Sequence, residues 1–204
     1  MKKIYTLALI LAAVVAVAAA VKTTSKTGST PGAKADVALG AVVADFTLPD
    51  ADGHEHTLAS LKGSKGTVIL FIATKCPVSN AYNERMQKLA EDYASRGVNV
   101  VGVNSNVAEL APEVKQHAAE KGLKFTILKD AGNKIADRFD AQVTPEAYLL
   151  DASGKLVYHG RVDNSRNGDS ITATELRDAI EAVLAGKAVE KTEAKAFGCS
   201  IKRG

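Results

Sequence analysis

The sequence predicts an α/β domain built on a mixed sheet with helices on both faces. Three patterns carry that expectation. Two unbroken runs rich in β-branched residues, Thr67-Val68-Ile69-Leu70-Phe71-Ile72 and Val98-Asn99-Val100-Val101-Gly102-Val103, have the composition of strands buried on both faces. Apolar residues at helical spacing lie between and after them, as the crossovers of parallel strands require. Further on, Ala147-Tyr148-Leu149-Leu150 and Lys155-Leu156-Val157-Tyr158 flank Asp151-Ala152-Ser153-Gly154, a hairpin whose turn closes on glycine. An antiparallel pair added to parallel units makes the sheet mixed.

The elements follow in order. Val78, Tyr82, Met86, Leu89 and Tyr93 form one stripe of a helix that begins after Cys76-Pro77 and ends at Gly97. Beyond the second strand, Leu110, Val114 and Ala118 mark a helix face that stops before Gly122, and Phe125-Thr126-Ile127-Leu128 is a third strand. A short helix through Ile135 and Phe139 leads to Val143-Thr144-Pro145 and the hairpin. The last helix carries Leu176, Ile180, Val183 and Leu184 and ends at Gly186.

The 204 residues are 46% hydrophobic and 24% charged, the balance of a globular protein rather than of a disordered or multi-span membrane chain. The formal net charge of +3 includes Lys2 and Lys3 and falls to +1 without them, too near neutrality for nucleic acid to be the main partner. Met1-Lys2-Lys3 and the apolar run over 4–21 have the layout of a secretory signal, with Ala16, Ala18 and Ala20 offering A-x-A cleavage sites. A run of that length is also at the lower limit for crossing a bilayer, so a membrane tether through residues 4–21 is the competing reading. Both readings put the domain outside the cytoplasm, in a periplasmic or other extracytoplasmic space. The expected organisation is a signal or anchor over 1–21, a flexible Lys/Thr/Ser/Gly-rich linker over 22–38, one domain over 39–186 and a tail over 187–204. The two cysteines, Cys76 and Cys199, can pair in such a compartment.

Around Cys76 the residues resemble a known group. Phe71-Ile72-Ala73-Thr74-Lys75-Cys76 is similar to the strand end and nucleophile turn of the thioredoxin-like redoxins, which hold thiol-disulfide oxidoreductases and peroxiredoxins of the alkyl hydroperoxide reductase and thiol-specific antioxidant type. Asp45-Phe46-Thr47-Leu48-Pro49-Asp50-Ala51-Asp52-Gly53, with Leu58, Leu61 and Lys62-Gly63, resembles their N-terminal hairpin and lead-in, and Val143-Thr144-Pro145 resembles their cis-proline loop. The likeness covers about residues 40–186. It implies a thioredoxin-like fold with an N-terminal hairpin extension and a redox-active Cys76 faced by Thr144 and Pro145. It implies no cofactor, and as partners client thiols or disulfides, or a peroxide, with an external thiol reductant.

The chain departs from both branches of that group. Dithiol oxidoreductases carry a second Cys three residues after the first, where this chain has Ser79, so a disulfide within the turn cannot form. Peroxiredoxins place Pro and Thr or Ser where this chain has Ile69 and Ala73, and Pro145 falls roughly where their Arg would be. A thiol-disulfide oxidoreductase with a lone CxxS centre is therefore the favoured reading, a peroxidase the alternative, and a non-catalytic binding module the third.

A thiol at the junction of a buried strand and a helix meets free backbone N–H groups and the positive end of the helix, which favour the thiolate. Lys75 is expected to add to the effect and the Ser79 hydroxyl to donate to the sulfur, with Thr74 and Pro77 framing the turn. The plainer reading of Cys76 is a small core residue. Cys199, in Ala196-Phe197-Gly198-Cys199-Ser200-Ile201-Lys202, either resolves an oxidised Cys76, forms a static bond worth roughly 4–5 kcal/mol on the chain-entropy model, or is a free tail thiol. His54 and His56 have a spacing that can ligate a metal, but alternating polar residues on a solvent face explain it, and no metal is expected. His117 and His159 show no link to Cys76. Arg161 and Arg166, near Asp163 and Asn164, read as a solvated loop with a rim role at most.

Overall fold

A computed structural model describes residues 37–204. The expected signal or anchor over 1–21 and residues 22–36 of the expected linker lie outside them. Strands β1 (Thr47–Pro49) and β2 (Glu55–Thr57) pair antiparallel as the N-terminal hairpin, with Thr47 opposite Thr57. Asp50 shapes its turn by accepting the main-chain N–H groups of Asp52 and His54 at 2.8 and 3.0 Å, and Gly53 takes a φ of 86°. Next come β3 (Gly66–Phe71), α1 (Pro77–Ala81), α2 (Asn83–Ala94), β4 (Val98–Asn104), α3 (Ala111–Glu120), β5 (Thr126–Lys129) and α4 (Lys134–Phe139). The chain ends with β6 (Val143–Thr144), β7 (Glu146–Asp151), β8 (Leu156–Gly160), α5 (Glu175–Leu184), β9 (Glu193–Ala194) and β10 (Cys199–Ser200).

The main sheet has the order β5-β4-β3-β7-β8-β9. β3 pairs parallel with β4 and antiparallel with β7, which makes the sheet mixed as the sequence predicts. Every residue of β3 is buried, and side-chain alternation divides it between two cores. Val68 and Leu70 join Met86 and Leu89 of α2 and Leu176 and Ile180 of α5 on one face. Ile69 and Phe71 join Tyr148, Leu150, and Ile135 and Phe139 of α4 on the other. On that second face the rings of Phe139 and Tyr148 meet edge to face at 5.0 Å. The sheet therefore delivers the end of β3, and Cys76 after it, between two packed layers.

Three features depart from the sequence reading. The expected single helix up to Gly97 is two helices, because Tyr82 adopts φ −96°, ψ −7°, and its N–H bonds back three residues to the Ser79 carbonyl. Its phenol is anchored in the opposite direction, donating to the Asp163 carbonyl at 3.2 Å and to Asp163 Oδ1 at 3.0 Å. The apolar stripe runs unbroken through the join, so periodicity could not reveal it. Second, the tail carries two short strands, β9 beside β8 and β10 beside β6. Third, Arg161 and Asp163 do not lie in a solvated loop. Asp163 is buried and takes Arg85 Nη1 at 2.6 Å, while Arg161 pairs with the buried Glu175, because unpaired charges at these depths would be costly. Among the described residues no helix is long and apolar enough to cross a membrane.

Asp163→Ala strips the carboxylate from a mostly buried Arg85 and leaves the Tyr82 hydroxyl only the main-chain carbonyl, and is expected to cost about 3–5 kcal/mol in urea unfolding. Arg166→Ala, on an exposed side chain of the same loop, is expected to stay within about 0.5 kcal/mol of the parent.

Candidate active site

The nucleophile turn is fixed mainly through its backbone. Cys76 is the N-cap of α1 and Pro77 its first residue, where a missing N–H costs nothing. The Ser79 N–H donates to Cys76 Sγ at 3.3 Å. Asn80 Nδ2 donates to the Thr74 carbonyl at 2.9 Å. Two further main-chain donors, Thr74 N–H and Lys75 N–H, reach the two carboxylate oxygens of Glu109 at 2.8 and 3.0 Å. Glu109 is itself oriented by Asn104 Nδ2 at 2.6 Å and Asn106 Nδ2 at 2.9 Å. Burial pushes the Glu109 carboxyl up, but these donors outweigh it and leave the group ionised below its ordinary range.

Facing Cys76 is the loop at Pro145, with a cis Thr144-Pro145 bond. Glu146 holds this loop as Glu109 holds the other: its Oε2 accepts the N–H groups of Gln142 at 2.7 Å and Val143 at 3.1 Å, and its Oε1 meets His159 Nε2 at 2.6 Å. The edge of β6 is occupied by β10, in a register that sets Cys199 opposite Thr144 and Ser200 opposite Val143. The tail is secured around that pair. Ile201 is buried in the second core and its N–H donates to the Gln142 carbonyl at 2.9 Å. Lys202 N–H reaches Asn106 Oδ1 at 2.7 Å, and Phe197 packs on the Tyr82 ring at 6.4 Å. Gly198 is required by closeness, since a Cβ there would fall 1.9 Å from the Thr144 carbonyl oxygen.

Two free thiols thus share one site. As a thiol, Cys76 Sγ donates to the Thr144 carbonyl at 3.3 Å. As a thiolate it is an acceptor. Burial pushes the Cys76 thiol up, but the Cys199 thiol, the Ser79 N–H, the Thr144 side chain and the Cys199 N–H together bring it below its ordinary value. The Thr144 hydroxyl is buried and has no partner of good hydrogen-bond geometry, so its contribution comes from closeness to the sulfur. Cys199 moves the other way: bonding to Cys76, and then burial, raise its thiol. When the pair loses its first proton, these opposite shifts favour the thiolate on Cys76 and the thiol on Cys199. A cavity of about 220 Å³ reaches Cys76 between Lys75, Glu109, Cys199 and Lys202.

Thr74, Lys75, Pro77, Ser79, Thr144, Pro145 and Cys199 all gather around Cys76, but two of their expected roles are corrected. The Ser79 hydroxyl does not donate to the sulfur; it accepts from Ala73 N–H at 3.1 Å, and the Ser79 main chain makes the sulfur bond. Lys75 is drawn outward to the Ala108 carbonyl and Glu113, at 3.0 and 3.2 Å, rather than to the sulfur. His54 and His56 both turn to Asp50 Oδ2, at 3.4 and 2.9 Å, and hold its carboxyl, His56 above all, well below the carboxylate range. Sequence reasoning missed Glu109 and Glu146. Glu109 follows a strand in an unremarkable polar loop, but Glu146 is a charge at the head of a buried apolar run, a visible anomaly.

Residues 39–159 match the model of the AhpC/TSA family. A thiol-disulfide oxidoreductase ResA of Geobacillus kaustophilus is 32% identical over 123 residues, 60% of this chain and 69% of the relative. A chloroplastic peroxiredoxin Q of Sedum lineare is 28% identical over 66% of this chain and 76% of its own. The crystal structure of a hypothetical protein of Sinorhizobium meliloti 1021 superposes with a TM-score of 0.77 at 39% identity, covering 82% of this chain and 96% of that one.

Because its folded pKa is depressed, Glu109 contributes stability that is present above the ordinary value of 4.5 and is lost as pH falls through the folded value. Glu109→Gln is expected to cost about 1–3 kcal/mol at neutral pH, with the gap to the parent closing on acidification, in unfolding titrations across pH. Cys199→Ala removes a donor to the sulfur and is expected to move the Cys76 ionisation midpoint upward, read from thiolate ultraviolet absorbance against pH.

Proposed function

Since this chain belongs to the AhpC/TSA family, we propose that it is an oxidoreductase acting on thiols and disulfides, with Cys76 as the attacking thiolate and Cys199 as the second thiol of the couple. The observation that carries this reading is the register of β10 on β6. It sets Cys199 opposite Thr144, whose carbonyl accepts from Cys76 Sγ, so that both cysteines line one cavity. The residue missing at Ser79 is thereby supplied from the far end of the chain. Support also comes from the ResA relative, a thiol-disulfide oxidoreductase.

The steps follow from the arrangement. The Cys76 thiolate attacks one sulfur of a substrate disulfide, the substrate S–S bond breaks, and a mixed disulfide forms as the first thiolate leaves. Cys199 gives up its proton to that leaving thiolate and attacks the Cys76 sulfur, expelling the second thiolate, which takes a proton from water. The substrate is reduced by two electrons and Cys76–Cys199 is oxidised. An external thiol reductant returns the pair to the dithiol.

A peroxidase reading has the peroxiredoxin relative in its favour. Against it, the cavity at Cys76 has no arginine among its lining residues, and Arg85 and Arg161 are committed to Asp163 and Glu175. A non-catalytic binding module gives no account of two free cysteines lining one cavity. The layout of residues 1–21 supports an exported or tethered setting for this activity, with residues 22–38 as spacer.

Diamide treatment of the reduced chain is expected to give one intramolecular Cys76–Cys199 peptide on mass mapping, and Cys76→Ser to abolish disulfide exchange. Oxidation that leaves both thiols alkylatable, or links only different chains, would refute the pairing. Peroxide consumption with a thiol reductant that outpaces disulfide exchange would favour the peroxidase.

A further inference from the structure

An extended segment of a protein client can be held beside the nucleophile as an added strand, where exposed main-chain groups pair with it. The free edge that faces Cys76 is β6, and in this protein it is already filled. Cys199 and Ser200 pair antiparallel with Thr144 and Val143, the place and direction an extended client would take. The cover is not a loose flap: Ile201 is buried, Lys202 is bonded to Asn106 at 2.7 Å, and the Lys202 carbonyl accepts from Val107 N–H at 3.1 Å. Cys76 is only 3% exposed beneath it. What remains open is the cavity of about 220 Å³, below the size of pockets that enclose drug-sized ligands.

We infer that the tail acts as a built-in substitute for a client peptide and restricts Cys76 to disulfides of low molecular weight, with protein disulfides excluded while β10 is docked. The inference rests on the oxidoreductase reading above and names its substrate class. A small disulfide enters the cavity and is reduced to two thiols as Cys76 and Cys199 form their bond. A protein disulfide cannot reach Cys76 sulfur without first displacing Cys199, which is also the residue that must complete the exchange.

The test exploits Gly198. Any side chain there strikes the Thr144 carbonyl oxygen, which lifts β10, and Cys199 with it, from β6 without altering either cysteine or any residue of the main sheet. The reduced full chain and Gly198→Val are reacted with 2-hydroxyethyl disulfide and with insulin, following formation of the mixed disulfide at Cys76 by quenched mass spectrometry. The ratio of the small-disulfide rate to the insulin rate is expected to fall at least tenfold in Gly198→Val. A change in Cys76 ionisation moves both rates together and leaves the ratio alone. Ile201→Asp, which removes the tail's buried anchor, provides a second displacement should Gly198→Val fold poorly. A parent chain that reacts with insulin as readily as with the small disulfide, or a ratio unmoved in both variants, overturns the inference and leaves the oxidoreductase reading standing. A Cys76 inert to both reagents in every form overturns that reading itself.

Discussion

The site depends on a main-chain pairing only two residues long. β10 lies on β6 so that Cys199 stands opposite Thr144, next to the cis Pro145. Without that register, Cys76 would be a lone thiol capped by Ser79 N–H, and Cys199 would be one more residue of a polar tail. With it, Cys199 is set beside Cys76, and its thiol and main chain help to bring the Cys76 thiol below its ordinary value. The backbone that holds the tail is thus also the backbone that tunes the nucleophile. Because the pairing is made by peptide groups, its specificity comes from depth and clearance: Ile201 buried at one end, and at the other Gly198, where no side chain fits.

Both loops that meet at Cys76 are held by a buried carboxylate that takes two consecutive main-chain N–H groups. Glu109 takes those of Thr74 and Lys75, and Glu146 takes those of Gln142 and Val143. Such loops have no strand or helix partner for these donors, and leaving them unpaired in the interior would cost roughly 1–3 kcal/mol each. A carboxylate answers two at once, and charge-assisted bonds of this kind hold their geometry more firmly than neutral ones. The two acids therefore fix the relative positions of nucleophile and cis-proline loop without touching the sulfur.

Much of this was legible in the residues. The unbroken run ending at Phe71, the helical stripe after Pro77 and the Asp151–Gly154 turn announced the sheet, its helices and its hairpin, because each expresses a burial pattern local to the segment. Cys76 and Pro145 were visible through the motifs around them. The break at Tyr82 was not, since it comes from an anchor at Asp163 some eighty residues away while the apolar stripe continues across it. Nor were β9 and β10, whose two-residue strands leave no periodicity to read. The Ser79 hydroxyl was assigned by its chemistry, but Ala73 N–H claims it. Residues that act through backbone groups of distant segments, as Glu109 does, leave almost no signature in sequence.

The docked tail also has a thermodynamic meaning. Docking, bond formation and undocking make a closed cycle, so the free energy that seats β10 in the dithiol protein is part of what favours the Cys76–Cys199 bond over two separated thiols. Each non-covalent hold on the tail, from the ring of Phe197 on Tyr82 to the burial of Ile201, raises the effective concentration of one sulfur at the other. Residues that never approach sulfur are in this sense components of the protein's redox poise, and its tendency to accept or surrender electrons is written in the packing of its last eight residues.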